Sequence, residues 1–305
     1  MALQTDSQEE GGGTAAEYDV EYGTSADGTR VGWRRFGTGP ALVLLHGSNE
    51  SAASHTALGR ALADAFTVIL PDRRGRGLSG PYPADYGVGH EVDDLDAVLK
   101  ATGARLVFGV SASGLVALEA ARRMPDRIDK LAVYEPALLL EDTPVGTGWV
   151  ARFDAEMARG KAGAALVTSM IGLRLGPPVL KAFPRGLLAW LTEKIMSAQD
   201  RAAAPHVPTM RALAPTIRFE GVLLGQMRGT LETFSTLPVP VLLMGGSKGL
   251  SWLKPTMEAL EKTLPDVRRV EFAGLDHGGS ADVSKANPKG DPAVVAAAMR
   301  EFFTS

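Results

Sequence analysis

The fold is decided by residues 106–120, which read LVFGVSASGLVALEA. Residues 106–110 form a short apolar run of the kind buried in a parallel sheet, and the apolar spacing after them is that of a helix. Ser111 therefore stands in a tight strand-to-helix turn. Such a turn holds a serine hydroxyl at the start of a helix, where the dipole favours developing negative charge. We interpret Ser111 as a nucleophile; the simpler alternative is that Ser111 or Ser113 only caps the helix.

Short apolar runs that stop at turn residues recur along the chain. They cover residues 41–45, 67–70, 131–134, 239–244 and 267–272. Helical segments, with apolar residues three to four apart, lie between them, and residues 18–36 alternate around an Asp-Gly turn typical of a hairpin. This alternation predicts an α/β protein with a doubly wound, mostly parallel β-sheet, which binds ligands beyond the carboxyl ends of its strands.

One interval breaks the alternation. The stretch of about a hundred residues before Val239 has helical spacing, several prolines and no convincing strand. A structureless loop of that length is uncommon, so an inserted helical cap is the economical interpretation. The predicted division is a disordered N-terminus of residues 1–16, a core domain of residues 17–139 and 237–305, and a helical cap of residues 140–236.

The composition excludes several classes of function. The 305 residues include no cysteine, which removes thiol nucleophiles, disulfides and cysteine-held metals. The 32 basic and 35 acidic residues give a net charge of −3, which does not support binding to nucleic acid or to an anionic membrane. Neither a signal peptide nor an apolar run of ~20 residues is present. We expect a cytoplasmic protein that acts on a small molecule without cofactor or metal, and homo-oligomer formation is not indicated.

Four stretches, in this order, resemble the α/β-hydrolase superfamily. They are residues 44–48 (LLHGS), residues 72–79 (DRRGRGLS), the Ser111 turn and residues 274–277 (GLDH). The resemblance extends over nearly the whole chain and implies the α/β-hydrolase fold. It also implies that the backbone N–H groups of Ser48 and Ala112 form an oxyanion hole and that His277 is the general base. His46 would then brace its loop.

The position of the acid that would orient His277 departs from the usual pattern of the superfamily. The superfamily usually places an aspartate a few residues after the strand that ends near Met244, but residues 245–250 read GGSKGL and contain no carboxylate. Glu135 ends the neighbouring strand, where some members of the superfamily carry the acid. We predict Glu135 in this role. The alternatives are Asp276, Asp282, a water-mediated arrangement and the absence of an acid.

The sequence also suggests roles for a polar loop, for one face of a helix and for the apolar residues of the cap. The loop of residues 72–79 is expected to bridge its neighbours, and Asp93, Asp94 and Asp96 are interpreted as a solvated helix face. Apolar and deformable cap residues suit a bulky apolar ligand, and His55 and His90 could line the same pocket. The candidate substrate pocket comprises Asn49, Trp149, Met170, Trp190 and Met210.

These features together predict a carboxylic ester hydrolase with a Ser-His-Glu triad. Ser111 would attack a carbonyl, His277 would move the proton, Glu135 would orient His277, and water would resolve the acyl-enzyme. The expected substrate is a small to medium-sized, largely apolar ester, lactone or thioester. One alternative is a non-hydrolytic enzyme of the same fold that performs lyase, carbon–carbon cleavage, cyclisation or acyl-transfer chemistry in secondary metabolism. The other is a ligand-binding protein on a hydrolase scaffold.

Overall fold

The structure is a computed structural model that describes residues 18–176, 179, 182–204, 207–284 and 287–305. The predicted N-terminal tail, residues 1–16, lies outside the described residues. Within the described ranges, no helix has both the length and the apolar character needed to cross a bilayer.

An eight-stranded sheet forms the centre of the molecule. Its strands are β1 (Asp19–Thr24), β2 (Arg30–Gly37), β3 (Ala41–Leu45), β4 (Thr67–Pro71), β5 (Leu106–Val110), β6 (Lys130–Tyr134), β7 (Val241–Gly246) and β8 (Val267–Phe272). They lie in the order β1-β2-β4-β3-β5-β6-β7-β8. The pairs β1–β2 and β2–β4 are antiparallel, and the pairs from β4 to β8 are parallel. The predicted doubly wound, mostly parallel sheet is thus confirmed.

Helices cover both faces of this sheet. They are α1 (Thr56–Leu62), α2 (Val88–Thr102), α3 (Ala112–Arg123), α4 (Val150–Met157), α5 (Ala162–Gly172), α6 (Arg185–Ala202), α7 (Met210–Leu213), α8 (Ile217–Met227), α9 (Lys254–Thr263) and α10 (Pro292–Thr304). Successive strand residues point to opposite faces, so Val107 belongs to the apolar cluster beneath α2, α3 and α9, and Phe108 belongs to the cluster beneath α1 and α10. Burial on both faces explains why the central strands read as continuous apolar runs.

In the described part of the interval between β6 and β7, the α-helices are α4 to α8. Helix α5 packs against α4 and α6, and α8 returns to the core beside α2 and α3. The described part of this interval contains no strand. These helices occupy the segment predicted as a cap; its treatment as a separate domain stays a prediction.

The loop of residues 72–79 joins several elements through buried polar contacts. The Asp72 carboxylate accepts hydrogen bonds from the Ala52 N–H (2.8 Å), the Leu78 N–H (3.0 Å) and the Arg34 guanidinium (2.9 Å). A Cβ at Gly77 would lie 2.1 Å from this carboxylate, and φ at Gly77 is 49°. Glycine is therefore required where the loop closes over Asp72.

The prediction that Asp94 belongs to a solvated face is wrong. Asp94 is buried, and both its oxygens accept hydrogen bonds from Arg74, at 2.6 and 2.7 Å. Burial raises the pKa of Asp94 to about 6 even though the hydrogen bond from Arg74 acts to lower it. Helical spacing could not predict this burial, because the guanidinium that covers Asp94 belongs to Arg74, in the separate loop of residues 72–79.

Candidate active site

Ser111 occupies the turn between β5 and α3 in a strained backbone conformation. Its φ of 55° and ψ of −120° are unusual for a residue with a side chain. The Ser111 N–H donates to the Tyr134 carbonyl (3.0 Å), and the Ser111 carbonyl accepts from the Ala137 N–H (3.1 Å) and the Gly114 N–H (3.0 Å). These backbone bonds to the end of β6 and to α3 maintain the strained residue in a defined position.

Two glycines let α3 approach the sheet closely at this turn. A Cβ at Gly109 would lie 2.5 Å from the Ser113 carbonyl oxygen, and a Cβ at Gly114 would lie 2.9 Å from the Pro136 Cβ. The first contact is with backbone, which cannot move away as a flexible side chain can. The spacing of the two glycines around Ser111 is thus a packing requirement of the turn.

We expect Gly109→Ala to lower the free energy of unfolding by about 1–3 kcal/mol, the usual result of overpacking. Chemical denaturation followed by circular dichroism measures this change. Gly146→Ala is the matched control, because a Cβ there would meet no atom within 4 Å. Equal stabilities for the two variants would contradict the packing requirement.

Ser111, His277 and Glu135 form a continuous hydrogen-bonded chain. The His277 Nε2 atom lies 3.1 Å from Ser111 Oγ, and His277 Nδ1 lies 2.7 Å from Glu135 Oε2. An ionised carboxylate can only accept, so Nδ1 carries the proton and Nε2 is free to accept from the serine hydroxyl. The structure therefore brings together the three residues that the sequence singled out, with the ring oriented to take a proton from the serine.

Glu135 is held in place by the neighbouring strand β7. Its side chain is 4% exposed, and its Oε1 atom accepts a hydrogen bond from the Gly246 N–H (3.0 Å). The Glu135 N–H donates to the Met244 carbonyl (2.8 Å), and φ at Glu135 is 43°, in the left-handed region. One carboxylate oxygen is thus bound by backbone, and the other is left for His277.

The alternative carboxylates have other partners. Asp276 accepts a hydrogen bond from the Gly278 N–H (3.0 Å), and Asp282 accepts one from the Ala57 N–H (2.9 Å). Across the ranges that the structure describes, Glu135 is the carboxylate in hydrogen-bond contact with the His277 ring.

Two backbone N–H groups, one in the loop after β3 and one directly after Ser111, are available for an anionic oxygen. The Ser48 N–H and the Ala112 N–H donate to no acceptor in the described part of the chain. The Ala112 N–H also stands at the first turn of α3, where the helix dipole is positive. The preceding loop is braced, since the Gly47 N–H donates to Glu50 Oε2 at 2.7 Å. The predicted oxyanion-hole donors are therefore unengaged in this structure.

His46 and Ser113 brace this loop. The Arg73 N–H donates to His46 Nε2 (3.1 Å), so the protonated nitrogen of His46 is Nδ1, which donates to the Gly47 carbonyl (3.0 Å). Complete burial, with Arg76 and Arg73 nearby, lowers the pKa of His46 well below its usual value. The fully buried Ser113 hydroxyl donates to the His46 carbonyl, so this serine ties α3 to the loop.

His55 and His90 have partners of their own. His55 is buried, and its Nε2 atom lies 3.3 Å from Ser280 Oγ. His90 Nδ1 accepts from the Gly87 N–H (3.3 Å) at the start of α2. These contacts give both histidines structural roles; their part in a ligand pocket stays a prediction.

The predicted pocket residues differ in their surroundings. Asn49 follows Ser48 with φ of 55°, and its Oδ1 atom is buried without a hydrogen-bond partner among the described residues. Trp149 is buried against Gly172 and Gly221, whereas Met170 and Met210 are partly buried. Trp190 is the most exposed of the five. It is 56% exposed on α6, and the Lys194 ammonium lies 5.8 Å from its ring centre. The assignment of these five residues to one pocket stays a prediction.

A buried ionic cluster, which the motifs did not reveal, links the core to α8. Arg73 donates to Glu91 of α2 (2.9 and 3.0 Å) and to Glu220 of α8 (3.0 Å), and Arg76 also pairs with Glu220. All four side chains are buried. Burial acts to raise the pKa of Glu91, but Arg73 lowers it below the usual value, so the carboxylate is ionised. Arg73 and Glu220 are 147 residues apart, and no local pattern joins them.

The arrangement around Ser111 can perform nucleophilic acyl chemistry. A serine hydroxyl contacts one imidazole nitrogen, a carboxylate contacts the other, and the N–H groups of Ser48 and Ala112 have no acceptor among the described residues. Each part corresponds to a requirement of that chemistry: a nucleophile, a base, an orienting group and anion stabilisation.

Comparisons with known proteins agree with this description. Residues 42–298 match the model of the alpha/beta hydrolase family. A solved alpha/beta hydrolase from Sphaerobacter thermophilus is 31% identical, with a TM-score of 0.73, and the alignment covers 92% of this chain and 99% of that one. The 2-(acetamidomethylene)succinate hydrolase of Mesorhizobium japonicum is 23% identical over 80% of this chain and 84% of its own length. An uncharacterized protein of Mycobacterium tuberculosis is 33% identical over 39% of this chain, and the match spans 35% of that longer relative.

Proposed function

The chain belongs to the alpha/beta hydrolase family, and on that basis we propose that it is a serine hydrolase of small to medium-sized, largely apolar esters, lactones or thioesters. The observation that carries the proposal is the unbroken hydrogen-bonded chain from Ser111 Oγ through His277 to Glu135. A serine that only capped a helix would not need a histidine oriented by a buried carboxylate.

The first half of the reaction forms an acyl-enzyme. Ser111 Oγ attacks the carbonyl carbon while its proton moves to His277 Nε2, and Glu135 stabilises the imidazolium that results. The Ser48 and Ala112 N–H groups receive the oxyanion of the tetrahedral intermediate, an interaction worth about 3 kcal/mol per donor in such sites. Collapse of the intermediate breaks the bond to the leaving alcohol or thiol, which takes the proton from His277.

The second half of the reaction reverses these roles with water as the nucleophile. His277 Nε2 removes a proton from the water molecule that attacks the acyl carbon, and the same two N–H groups hold the second oxyanion. Return of the proton to Ser111 Oγ releases the carboxylic acid and restores the starting state.

The charges near the site support an uncharged substrate. Arg73 and Arg76, whose charges act on His46, are paired with Glu91 and Glu220, so this cluster of two cations and two anions has no excess charge for a substrate carboxylate. The cap contributes apolar side chains such as Met170 and Met210, which are partly buried. A carboxylate without a counter-charge is costly to remove from water.

Labelling by a fluorophosphonate tests the nucleophile, with intact-mass spectrometry as the measurement. We expect one adduct on the wild-type chain, mapped to Ser111, and none on Ser111→Ala. An unlabelled wild-type protein would contradict the proposal and favour a ligand-binding role for the scaffold.

A matched pair of substrates tests the substrate class. p-Nitrophenyl butyrate and the p-nitrophenyl monoester of succinate have similar lengths, but only the second carries a carboxylate. We expect kcat/KM to be higher for the butyrate by about tenfold or more, since each 1.4 kcal/mol of unfavourable desolvation amounts to a factor of ten. A preference for the succinate ester would contradict the apolar substrate class. Labelling of Ser111 without turnover of either ester would point to non-hydrolytic chemistry.

A further inference from the structure

A small cavity lies beside Glu135, on the face of the sheet that α9 covers. Glu135, Gly245, Arg269 and Glu271 line it, together with Lys254 and other residues from the first turns of α9. The space that the centre of a water molecule can occupy there is about 20 Å³, whereas one water molecule needs about 10–15 Å³ and at least two polar partners. The cavity therefore fits a water molecule in its size and in the charged groups around it.

The strand register shows that Arg269 and Glu271 face α9. Strand β7 lies between β6 and β8, and in the parallel pair β7–β8 Leu243 is aligned with Arg269 and Gly245 with Glu271. Residues two apart on one strand point to the same face of a sheet. Val267, two residues before Arg269, packs against the apolar cluster that α9 covers, and Leu243 belongs to that cluster. Both charged side chains of β8 are therefore on the side of the cavity.

Glu135 directs one carboxylate oxygen toward the same space. A Cβ built on Gly245 would lie 3.4 Å from Glu135 Oε1 and 3.3 Å from the Met257 Cε atom of α9, so Oε1 stands over β7 on the α9 face. The Oε1 atom accepts one hydrogen bond, from the Gly246 N–H (3.0 Å), and a carboxylate oxygen can accept a second. Because residue 245 is glycine, its side chain does not separate Oε1 from the side chains of β8.

Arg269 brings two buried donors to this face of the sheet. Its Nε and Nη1 atoms are buried, and neither hydrogen-bonds to any residue that the structure describes. Glu261 Oε2 lies 3.6 Å from Arg269 Nη1, which is too long for a hydrogen bond. Buried N–H groups of a guanidinium are costly without an acceptor, and an ordered water molecule is the usual partner where no protein group is in reach. The cavity that Arg269 lines is the place for such a water molecule.

We propose that the cavity binds a water molecule that joins the Arg269 guanidinium to Glu135 Oε1, and that Arg269 is thereby a positioning residue for the Ser111–His277–Glu135 chain. The water molecule accepts from the guanidinium and donates to Oε1, so it holds the carboxylate in place and carries the influence of a positive charge to it. This inference rests on the proposed function, because it concerns the proton transfers of the same reaction.

The sign of the effect on His277 follows from the charges around the cavity. The other charged groups that line the cavity or lie against Arg269 are Lys254, Glu261 and Glu271. Without Arg269, one cation would stand against three carboxylates, Glu135 included. An excess of negative charge favours the imidazolium form of His277, which cannot act as a base. Arg269 therefore keeps His277 in its neutral, active form to a lower pH than Glu135 alone would allow.

The test is the dependence of kcat/KM for p-nitrophenyl butyrate on pH. We expect Arg269→Met to move the acidic limb of the profile to higher pH by about half a unit, the effect of one charge about 10 Å away, or two strand spacings, in partly solvated protein. Arg269→Lys keeps the charge and should show a smaller shift. The matched control is Arg268→Met, because Arg268 is about half exposed, pairs with Glu301 (2.8 Å) and is the neighbouring residue on the opposite face. We expect no shift in the control.

Two further measurements do not depend on turnover. The protonation of the His277 imidazole can be followed by NMR, with the signal assigned by its loss in His277→Ala, and Arg269→Met should move that titration in the same direction as the acidic limb. A crystal structure of the wild-type chain that resolves water should show one molecule within about 3 Å of both the Arg269 guanidinium and Glu135 Oε1. Arg269→Gln takes the place of Arg269→Met if the latter does not fold.

The outcomes separate this inference from the proposed function. An inactive, unlabelled wild-type protein would overturn the proposed function, and the NMR titration and the crystal structure would then still decide whether Arg269 acts on the chain through water. An active wild type whose acidic limb stays in place in Arg269→Met, or moves as far in Arg268→Met, would overturn the inference alone. A well-resolved cavity without a water molecule between Arg269 and Glu135 would also overturn it.

Discussion

Ser111→Ala and His277→Ala are each expected to lower kcat/KM for an activated ester by on the order of 10⁴- to 10⁶-fold. Ser111 Oγ forms the covalent bond, and His277 Nε2, 3.1 Å away, is the atom placed to remove its proton. The two residues act as one unit. The double variant should therefore be no slower than the worse single variant, leaving only the contribution of the N–H groups and of substrate binding.

The measurement is ester hydrolysis by each single variant and by the double variant, with folding checked by circular dichroism. Ser113→Ala and His90→Ala are the controls, because Ser113 hydrogen-bonds the His46 carbonyl and His90 accepts from the start of α2. Both controls should still be labelled at Ser111. Multiplicative losses in the double variant would show that the two side chains do not act together.

Glu220→Ala is expected to lower the free energy of unfolding by about 3–5 kcal/mol, the usual effect of removing one partner of a buried ion pair. The Glu220 carboxylate contacts Arg73 and Arg76, and all three side chains are buried. Alanine would leave Arg76 without its carboxylate and Arg73 with only Glu91 as counter-ion. Because Glu220 belongs to α8, the loss should loosen the attachment of the inserted helices to the core.

Denaturation by urea, followed by circular dichroism, measures this change in stability. Asp129→Ala is the matched control. The Asp129 carboxylate also binds an arginine through two short hydrogen bonds, from Arg105 at 2.7 and 2.6 Å, but both partners are about half exposed. We expect that control to change the stability by less than about 1 kcal/mol. Similar losses of unfolding free energy in the two variants would mean that the buried Glu220 ion pairs contribute no more to stability than an exposed ion pair does.

Ser111 and Ser113 show which features a local sequence pattern can predict and which it cannot. The apolar run of β5, the glycines at 109 and 114 and the following helix sufficed to predict a strand-to-helix turn. The same pattern favoured Ser111 as the nucleophile, and the tertiary contacts of the two serines differ accordingly: the Ser111 hydroxyl meets His277 Nε2, and the Ser113 hydroxyl donates to the His46 carbonyl. These partners come from distant parts of the chain, so local pattern could not identify them.

The position of the acid illustrates the same limit. The missing carboxylate after β7 is visible in the sequence, and so is Glu135 at the end of β6. The sequence does not show that a Cβ at position 249 would lie only 1.9 Å from Glu135 Oε1 and so overlap the Glu135 carboxylate. That overlap exists only because β6 and β7 are neighbours in the sheet.

The sequence by itself determined the class of the sheet, the turn that carries Ser111, the candidate histidine and the helical character of the inserted segment. The sheet, the turn and the inserted helices depend on spacing along a few neighbouring residues, where strand and helix periodicity act, and the candidate histidine follows from the resemblance of residues 274–277 to the α/β-hydrolase superfamily. Only the tertiary structure decided which carboxylate meets His277, that Asp94 is buried, that Trp190 is exposed, and that Glu220 pairs with Arg73. Those outcomes depend on which elements are adjacent in space. A charged or aromatic side chain has no local signal for its own burial, because the partners that cover it are distant in the chain.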